Sequence, residues 1–277
     1  MRPLMCRGSV AYFALARQTA RGSPATNSAI RAPMNVAIVT ARAGSKSIID
    51  KNVLLLRGKP MVQYPIHAAQ AAKRIHGVYV STDGERIAEA SRAAGATIIP
   101  RPDELGGDTV NHGIVIKHAV EWVDQRVDNL ENVVLLLGNT VYIDGAIIDH
   151  CLGLLDERKE LDSVMTVWEA ADDHPYRALQ INDRGLIETF GGARKVSTER
   201  QSYPKAYYYD QGVWAFRKHT VQRDDGPNPW WWMGKNVLPV IRPWVTGRDI
   251  HGLIDVFFSE AWVDHPEMVA KIEKENH

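Results

Sequence analysis

The sequence lacks several features that define whole classes of proteins. Its 277 residues include only two cysteines, Cys6 and Cys151, so we expect no disulfide framework and a reducing, cytoplasmic location. No Cys/His cluster has zinc-ligand spacing, and no Gly-x-Ser-x-Gly elbow of a serine hydrolase is present. No apolar run reaches the ~18 residues of a membrane helix, so we expect no membrane as partner.

The sequence also lacks an excess of charge of either sign. Its 33 basic residues equal its 33 acidic residues, and the formal net charge is zero. Because phosphate backbones attract proteins with a basic excess, this balance argues against nucleic acid as the main partner. It leaves room for a local basic pocket that binds a small anion.

Acidic residues are missing from the first 33 positions, which do contain five arginines: Arg2, Arg7, Arg17, Arg21 and Arg31. An Arg-rich, acid-poor segment is typical of an organelle transit peptide. A mis-set start or a disordered tail would have the same composition. We favour these two, because Met34 begins a segment typical of a domain start. The expected domain therefore covers residues 34–277.

From Met34 onward, strand-like and helix-like segments alternate. The predicted strands cover residues 36–40, 77–81, 97–100, 132–137 and 163–168, and the predicted helices cover 61–73, 85–94, 112–124, 147–155 and about 257–276. This alternation predicts an α/β fold with a mainly parallel sheet and helices on both faces, as in Rossmann-like proteins. Ligands bind such sheets at the carboxyl ends of the strands. The loops after the first, second and fourth strands are therefore the candidate site.

The composition changes after residue 170. Turn-forming and aromatic residues dominate up to residue 243, with three tyrosines at 207–209 and three tryptophans at 230–232. This pattern predicts a protruding arm or insertion at about 170–243 rather than another βαβ unit. The tryptophans could line a pocket, but a core or interface role suits them better because aromatic side chains bury large areas.

The loop after the first predicted strand is dense in positive charge. Residues 41–52 read Ala-Arg-Ala-Gly-Ser-Lys-Ser-Ile-Ile-Asp-Lys-Asn, which places Arg42, Lys46 and Lys51 within ten residues. Gly44 permits a tight turn that exposes backbone N–H groups as an anion-binding concavity. The spacing does not fit a Walker A loop. On composition alone, a triphosphate-binding loop and a solvated basic turn both stay open.

Four blocks of residues resemble the acylneuraminate cytidylyltransferases in order and in spacing. They are Arg-x-Gly-Ser-Lys-x-Ile-x-x-Lys-Asn from Arg42, Gly58-Lys59-Pro60, Ser81-Thr82-Asp83, and Arg101-Pro102-x-Glu104-Leu105-x-x-Asp108-Thr109. The match is good over about residues 35–120. The resemblance implies a nucleotidyltransferase fold and an enzyme that transfers CMP from CTP to an acidic, nonulosonic-type sugar with release of pyrophosphate.

The resemblance also assigns a nucleotide site to the first half of the chain. The residues it implies are Ala41, Arg42, Gly44, Ser45, Lys46, Lys51, Asn52, Ser81, Asp83 and Arg101. Among them, Arg42 and Lys51 are the expected catalytic cations, because nucleotidyl transfer depends on neutralising developing charge. Asp83 is equally well placed to cap the helix that follows it.

Two departures from the family pattern affect the sugar and metal sites. After the fourth strand, the family's Gln-Pro-Thr-Ser-Pro is replaced by residues 137–141, and Asn139 and Thr140 become the candidate substrate contacts. Near the C-terminus, the family's two metal-binding aspartates are reduced to Asp255, which we expect to bind Mg²⁺ and to be catalytic, with Asp249 as a substitute. Asp255 also suits an N-cap of the last predicted helix.

Three stretches in the predicted arm resemble the family's sugar-binding residues. They contain Arg177, Arg200 and Gln211. By the resemblance, the two arginines face the sugar carboxylate, which a guanidinium fork suits, and Gln211 contacts the sugar. Without the resemblance, both arginines could be ordinary exposed residues. The family's arm crosses to a second subunit, so we expect a homodimer.

Two other functions stay open. The altered loop at 137–141 and the incomplete aspartate pair favour a family-shaped protein that binds a nucleotide or a partner without catalysis. The cations around Gly44 favour the enzyme, because an inactive protein has little need for charges that repel one another. A transferase that uses GTP or another nucleotide is a further alternative, since base choice depends on the atoms of the loops.

Overall fold

A computed structural model describes residues 32–44, 48–107, 109–192, 197–199 and 202–275. The chain divides into two compact units, Met1–Arg31 and Ala32–His277, and all the described residues belong to the second. Ser45, Lys46 and Arg200, which are predicted site residues, lie outside the described residues, as does nearly all of the predicted N-terminal tail.

The described part of the chain contains eleven strands and six α-helices. The strands are β1 (Met34–Thr40), β2 (Leu55–Leu56), β3 (Lys59–Pro60), β4 (Gly77–Thr82), β5 (Thr97–Pro100), β6 (Leu130–Leu137), β7 (Ser163–Glu169), β8 (Leu179–Ile181), β9 (Ile187–Thr189), β10 (Tyr207–Arg217) and β11 (Val237–Ile241). The helices are α1 (Gln63–Ala71), α2 (Glu85–Ala93), α3 (His112–Asp124), α4 (Gly145–Glu157), α5 (Leu253–Asp264) and α6 (Pro266–Glu275). None of the helices in these ranges is long and apolar enough to cross a membrane.

Seven of the strands form one sheet in the order β11-β7-β10-β6-β1-β4-β5. β6, β1, β4 and β5 are parallel neighbours, and β11 is parallel to β7. β10 runs antiparallel to both of its neighbours, β6 and β7. The predicted mainly parallel α/β sheet is therefore confirmed. Every strand and helix predicted before residue 170 is present, with ends shifted by no more than two residues.

Helices cover both faces of this sheet, as predicted. Val39 and Leu136 pack into one hydrophobic cluster with residues of α1, α2 and α4. Their neighbours Ile38 and Leu135 point to the other face and pack with α3 and Trp232. Successive residues of a strand face opposite sides. Strands buried on both sides therefore have the continuous apolar sequence seen in β1 and β6.

The predicted arm at about 170–243 is too long. β10 lies in the middle of the sheet and β11 at its edge, so only the earlier part of that range, with the separate β8–β9 hairpin, stands apart from the sheet. Most of β10 packs in the core, although Tyr207 and Tyr209 near its start are exposed. Trp214 and Phe216 of β10 are buried, and so is Trp232. This confirms a core role for Trp232 and reflects how well aromatic residues fit strands.

The single helix predicted at about 257–276 is also wrong. The structure has two helices, α5 and α6, separated at His265. Pro266 has no backbone N–H and starts the second helix, where no such donor is needed. α5 begins at Leu253, so Asp255 lies inside its first turn rather than in front of the helix.

Candidate functional site

A cavity of about 460 Å³ opens at the carboxyl ends of the parallel strands. Its wall includes Thr40 at the end of β1, Arg101 after β5 and Leu137 at the end of β6. The opposite wall comes from α3 and from the loop before α5, with Asp249 and His251. We call it the basic cavity, because Arg42, Lys51 and Arg101 all line it.

Two of these cations are held in place by carbonyl oxygens. Nη2 of Arg101 donates to the carbonyl of Ser81 at 2.7 Å, and Nζ of Lys51 donates to the carbonyl of Ile250 at 2.6 Å. Burial is the main cause that lowers the pKa of Lys51 and of Arg101. The cavity therefore holds positive charge at a cost in solvation that a bound anion would offset.

Two side-chain hydrogen bonds hold the backbone of the loop that carries Arg42. The side-chain amide of Asn52 donates to the carbonyl of Arg42 at 2.9 Å, and the backbone N–H of Ala43 donates to Asp83 at 2.8 Å. Asp83 does not cap α2, because the N-cap residue is Gly84, which has no side chain to bond. The capping alternative for Asp83 is therefore wrong. Its carboxylate fixes the loop instead.

The structure brings most of the predicted nucleotide residues to the basic cavity. Arg42, Lys51, Asn52 and Arg101 line it. Ala41 and Ser81 are buried behind it and share a backbone hydrogen bond of 3.1 Å. Gly44 is exposed with a φ of 70°, a conformation that glycine adopts without strain.

Asp249 brings a carboxylate into the same cavity. The side-chain amide of Asn139 donates to one of its oxygens at 2.7 Å, and Nε2 of His251 lies 2.7 Å from the other. The backbone N–H of Ile250 donates to the carbonyl of Asn139 at 3.1 Å. The loop before α5 is thus held against the loop after β6, with the Asp249 carboxylate between them.

Asp255 has a different environment. One of its oxygens accepts from Nη2 of Arg248 at 2.8 Å, and the other accepts from the backbone N–H groups of His251 and Gly252. Burial raises the pKa of Asp255, but these hydrogen bonds outweigh burial and hold the pKa below its ordinary value. Of the two predicted magnesium ligands, only Asp249 lines the basic cavity. The geometry therefore supports the capping role of Asp255.

The basic cavity offers few protein ligands for a divalent cation. Among the described residues, no group of three or more His, Cys, Asp and Glu side chains could hold a metal ion. Mg²⁺ keeps several waters and takes one or two protein carboxylates together with phosphate oxygens. Asp249 lines the basic cavity and supplies the one carboxylate that this requirement needs at least.

Some of the predicted substrate residues line the cavities and others do not. Asn139 and Gln211 line cavities. Thr140 is buried, and its hydroxyl accepts from the backbone of Tyr142 at 3.4 Å. Arg177 is a surface residue that pairs with Asp172 at 3.3 Å and does not line the basic cavity. Arg177 and Thr140 therefore do not reach the basic cavity in this conformation.

His112 is a site residue that the sequence does not reveal. Its Nε2 lies 3.0 Å from the hydroxyl of Thr40, and its ring lines the basic cavity. Burial first, and then the charge of Arg101, lowers the pKa of His112 to about 4, so the ring is neutral at physiological pH. The available signal was Asn111, a helix-capping residue that starts α3 at the carboxyl edge of the sheet.

Two further cavities adjoin the basic cavity and share Asp249 and His251 with it. The aromatic cavity, of about 400 Å³, is lined by Asn111, His112, Leu137, Tyr209, Gln211, Trp214, Pro229, Trp230, Trp232, Asp249 and His251. The third, of about 260 Å³, includes Trp168, Tyr208 and Arg248. Together the three cavities form one continuous cleft.

A mainly parallel sheet with three cations at the carboxyl ends of its strands defines an α/β protein of the class that binds anionic ligands there. Residues 36–174, half of the chain, match the profile of the cytidylyltransferase family. The chain belongs to this family. The resemblance seen in the sequence motifs is thereby confirmed.

Curated relatives in this family are 26–31% identical to the chain over the aligned residues. An N-acylneuraminate cytidylyltransferase of Escherichia coli is 31% identical over 132 residues, 48% of this chain and 30% of that protein. One from Streptococcus agalactiae is 28% identical over 195 residues, 68% of this chain and 45% of that protein. An 8-amino-3,8-dideoxy-manno-octulosonate cytidylyltransferase of Shewanella oneidensis is 26% identical over 197 residues, 68% and 77%. The chain spans less than half the length of the first two.

Solved structures show the same fold. A CMP:2-keto-3-deoxy-manno-octonic acid synthetase in complex with CTP matches with a TM-score of 0.61 at 18% identity, over 84% of this chain and 99% of that one. A 4-diphosphocytidyl-2C-methyl-D-erythritol synthase from Anaerococcus prevotii matches with a TM-score of 0.55 at 15% identity, with the same coverage. The predicted Rossmann-like nucleotidyltransferase fold is confirmed.

Proposed function

We propose that the chain transfers CMP from CTP to an acidic sugar and releases pyrophosphate. One observation carries this proposal: Arg42, Lys51 and Arg101 converge on a single cavity, within the segment that matches the cytidylyltransferase family. A nucleoside triphosphate is the ligand whose charge suits three cations in so small a space. The names of the relatives, which include transferases for acylneuraminate and for an amino-octulosonate, support an acidic sugar as acceptor.

The residues of the basic cavity suit this reaction. A hydroxyl oxygen of the sugar forms a bond to the α-phosphorus and loses its proton, while the bond from that phosphorus to the bridging oxygen breaks. Pyrophosphate leaves with the electron pair of that bond. In this proposal Arg42 and Lys51, which both line the cavity, neutralise the charge that accumulates on the leaving group. Arg101 adds a third cation, and two hydrogen bonds to Ser81 hold its guanidinium in position.

Mg²⁺ is part of the proposal, with Asp249 as the protein residue that would hold it. When bound, the ion neutralises the triphosphate and polarises its phosphoryl oxygens. Asn139 and His251 contact the two carboxylate oxygens of Asp249 and so fix its orientation. Asp255 contributes indirectly, because it fixes the start of α5 and the adjacent loop.

The test is a nucleotide and sugar screen. The purified chain is incubated with CTP, GTP, ATP or UTP, with magnesium, and with N-acetylneuraminate or 3-deoxy-manno-octulosonate, and pyrophosphate release is measured. We expect release with CTP and an acidic sugar together and none when either is omitted. Lys51→Met removes a cavity cation and abolishes the release. Arg92→Ala, which removes an exposed cation of α2 paired with Glu85, is the matched control and retains it.

Other outcomes separate the remaining candidates. Release with GTP but not with CTP identifies a transferase for another nucleotide. A nucleotide-binding protein without turnover is the second candidate, and the presence of one carboxylate rather than two at the cavity favours it. It would bind CTP in calorimetry and release no pyrophosphate with any sugar. No binding of any triphosphate would overturn the proposal.

We also propose that the chain forms a homodimer through the β8–β9 hairpin. Ile181 and Ile187 of the hairpin are 75% and 71% exposed, and Leu179 and Phe190 are exposed beside them. Contiguous exposed apolar side chains typically mark an interaction surface. Light scattering after gel filtration should give twice the chain mass, and Ile187→Asp should give the monomer mass. A monomeric wild-type chain would overturn this part of the proposal.

A further inference from the structure

We propose that His251 is a second protein ligand of the divalent cation and makes the site prefer a first-row transition ion such as Co²⁺ over Mg²⁺. The inference rests on the proposed transfer of CMP, because the triphosphate would supply further ligands to the same ion. Its starting observation is a carboxylate and an imidazole side by side in the cleft. Asp249 and His251 line the basic cavity, the aromatic cavity and the third cavity.

The first step is the spacing of the two side chains. Nε2 of His251 lies 2.7 Å from Oδ1 of Asp249. Two ligand atoms at right angles around one ion, each about 2.1 Å from it, lie about 3.0 Å from each other. The nitrogen and the oxygen are therefore almost as far apart as a chelating pair. A small turn of the two side chains would direct both atoms to one ion instead of to each other.

The second step is the backbone that carries the pair. Ile250, between the two residues, is fully buried, its N–H donates to the carbonyl of Asn139, and its carbonyl accepts from Nζ of Lys51. The backbone N–H of His251 donates to Asp255 at 3.0 Å. Because Ile250 packs into the core, its two neighbours are directed to the cleft. The backbone thus holds both ligands in place before an ion arrives, which lowers the entropy lost on binding.

The third step is the accessibility of the two ligand atoms. The His251 side chain is 72% exposed and that of Asp249 is 11% exposed. The imidazole therefore has room to turn toward an ion in the cleft. The amide of Asn139 holds Oδ2 of Asp249, so Oδ1 is the oxygen that faces the imidazole.

The fourth step is the chemistry of this ligand set. One carboxylate oxygen and one imidazole nitrogen form a mixed pair. Mg²⁺ prefers oxygen ligands, whereas imidazole suits transition ions, for which affinity rises along the series from Mn²⁺ to Co²⁺ and beyond. Among the described residues, no third His, Cys, Asp or Glu completes the set. The remaining positions around an ion are therefore left to phosphate oxygens and water.

The test compares Co²⁺ with Mg²⁺ on the wild type, His251→Asp and His251→Gln. The first variant replaces the nitrogen by a carboxylate oxygen, and the second keeps an N–H that can donate to Asp249. Calorimetry at about pH 8, where imidazole is ordinarily neutral, gives the affinity for Co²⁺ alone and with CTP, on chains without a histidine tag. Competition gives the affinity for Mg²⁺. We expect the ratio of Co²⁺ to Mg²⁺ affinity to be at least about tenfold higher in the wild type than in either variant, which corresponds to about 1.4 kcal/mol.

Proton NMR of the Co²⁺ complex reports the ligand directly. The unpaired electrons of Co²⁺ shift the ring N–H signal of a bound histidine far outside the ordinary spectrum. We expect such a signal in the wild type and its loss in both variants of His251. His265→Asp is the matched control, because Nδ1 of His265 also lies near a carboxylate, 3.4 Å from Glu267, but lines none of the three cavities. This control should keep both the signal and the affinity ratio.

Each outcome decides the proposal. No shifted signal in the wild type, a signal that persists in both folded variants of His251, or an equal affinity ratio in the wild type and in His251→Asp would overturn His251 as a ligand. Circular dichroism verifies that each variant is folded.

The failure of this inference is distinguishable from the failure of the proposed function. If the shifted signal depends on His251 but no pyrophosphate is released with any nucleotide and either ion, the ligand assignment stands and the proposed transfer fails. If pyrophosphate is released with CTP and an acidic sugar while the wild type shows no shifted signal, the transfer stands and His251 is not a ligand.

Discussion

The side-chain amide of Asn139 donates a hydrogen bond of 2.7 Å to the carboxylate of Asp249, although 110 residues separate the two. Asn139 was expected to contact the sugar. The structure shows that Asn139 lines the basic cavity and also joins the loop after β6 to the loop before α5, where it orients the one of the two predicted metal ligands that reaches this cavity.

The first prediction separates the two aspartates. Asp249→Asn should lower pyrophosphate release by orders of magnitude, because it removes the carboxylate charge from the basic cavity. Asp255→Asn should keep most of the activity and lower the free energy of unfolding by about 1 kcal/mol, since it leaves Arg248 without its charged partner. Rates at saturating magnesium and urea unfolding measure the two effects. Equal losses of activity would contradict the assignment.

The second prediction concerns Asn139 as a positioning residue. Asn139→Ala should raise the magnesium concentration needed for half-maximal activity, because the Asp249 carboxylate loses the donor that orients it. The KM of the sugar should change little. A magnesium titration at fixed CTP measures the shift. If the sugar KM rises while the magnesium requirement stays constant, Asn139 is a sugar contact after all.

The third prediction concerns the cations. Arg42→Ala and Lys51→Ala should each weaken CTP binding by at least about tenfold without unfolding the chain, because a hydrogen bond to a charged group contributes about 1.5–3 kcal/mol. Isothermal calorimetry measures the affinity. Arg92→Ala, on an exposed residue of α2 that pairs with Glu85, is the control. Unchanged CTP affinity in both cavity variants would remove this loop from the site.

The fourth prediction concerns pH and His112. Its folded pKa of about 4 lies below its ordinary value of 6.5, so the unfolded chain takes up the proton first. Stability from this group is complete above pH 6.5 and falls as the pH drops toward 4, by about 3 kcal/mol at about 1.4 kcal/mol per pKa unit. Urea unfolding of the wild type and of His112→Gln should diverge in slope across this window. Parallel pH profiles would contradict the prediction.

The fifth prediction concerns the N-terminal segment. A chain that starts at Met34 should unfold at the same temperature as the full chain, because residues 1–33 carry five arginines, no acidic residue and no apolar period. Differential scanning calorimetry of both proteins measures this. A loss of several degrees would mean that the segment packs on the domain.

The first half of the fold is predictable because its signals are local. β1 and β6 are apolar on both faces, and the following helices have clear apolar spacing, so their identity does not depend on distant residues. β10 is different. It is 11 residues long, contains three tyrosines and a register shift, and becomes a central strand only because β6 and β7 leave a gap that it fills. No local pattern carries that information.

The candidate site also has a part that the sequence predicts and a part that it does not. Arg42 and Lys51 belong to a recognisable loop, and the structure places both at the cavity. Asp249 and Asp255 differ by six positions, and the sequence offers no reason to prefer the first. Which aspartate is available to a ligand depends on where α5 starts. A carboxylate in the first turn of α5 already accepts hydrogen bonds from backbone N–H groups. His112 was missed because a single half-buried histidine has no periodic signature.

The position of β10 has a consequence for how the chain is synthesised. β6 and β7 are consecutive strands of the sheet in the sequence, yet they are not neighbours, and the antiparallel β10 lies between them. When the ribosome has released residue 174, every residue that matches the family is present, but β7 has no partner in the sheet. Until residue 217 emerges, the edges of β6 and β7 that pair with β10 in the folded protein are therefore both unpaired. Unpaired edges of this kind invite association with other chains, so a pause in translation between these points is the interval in which the protein most needs a chaperone.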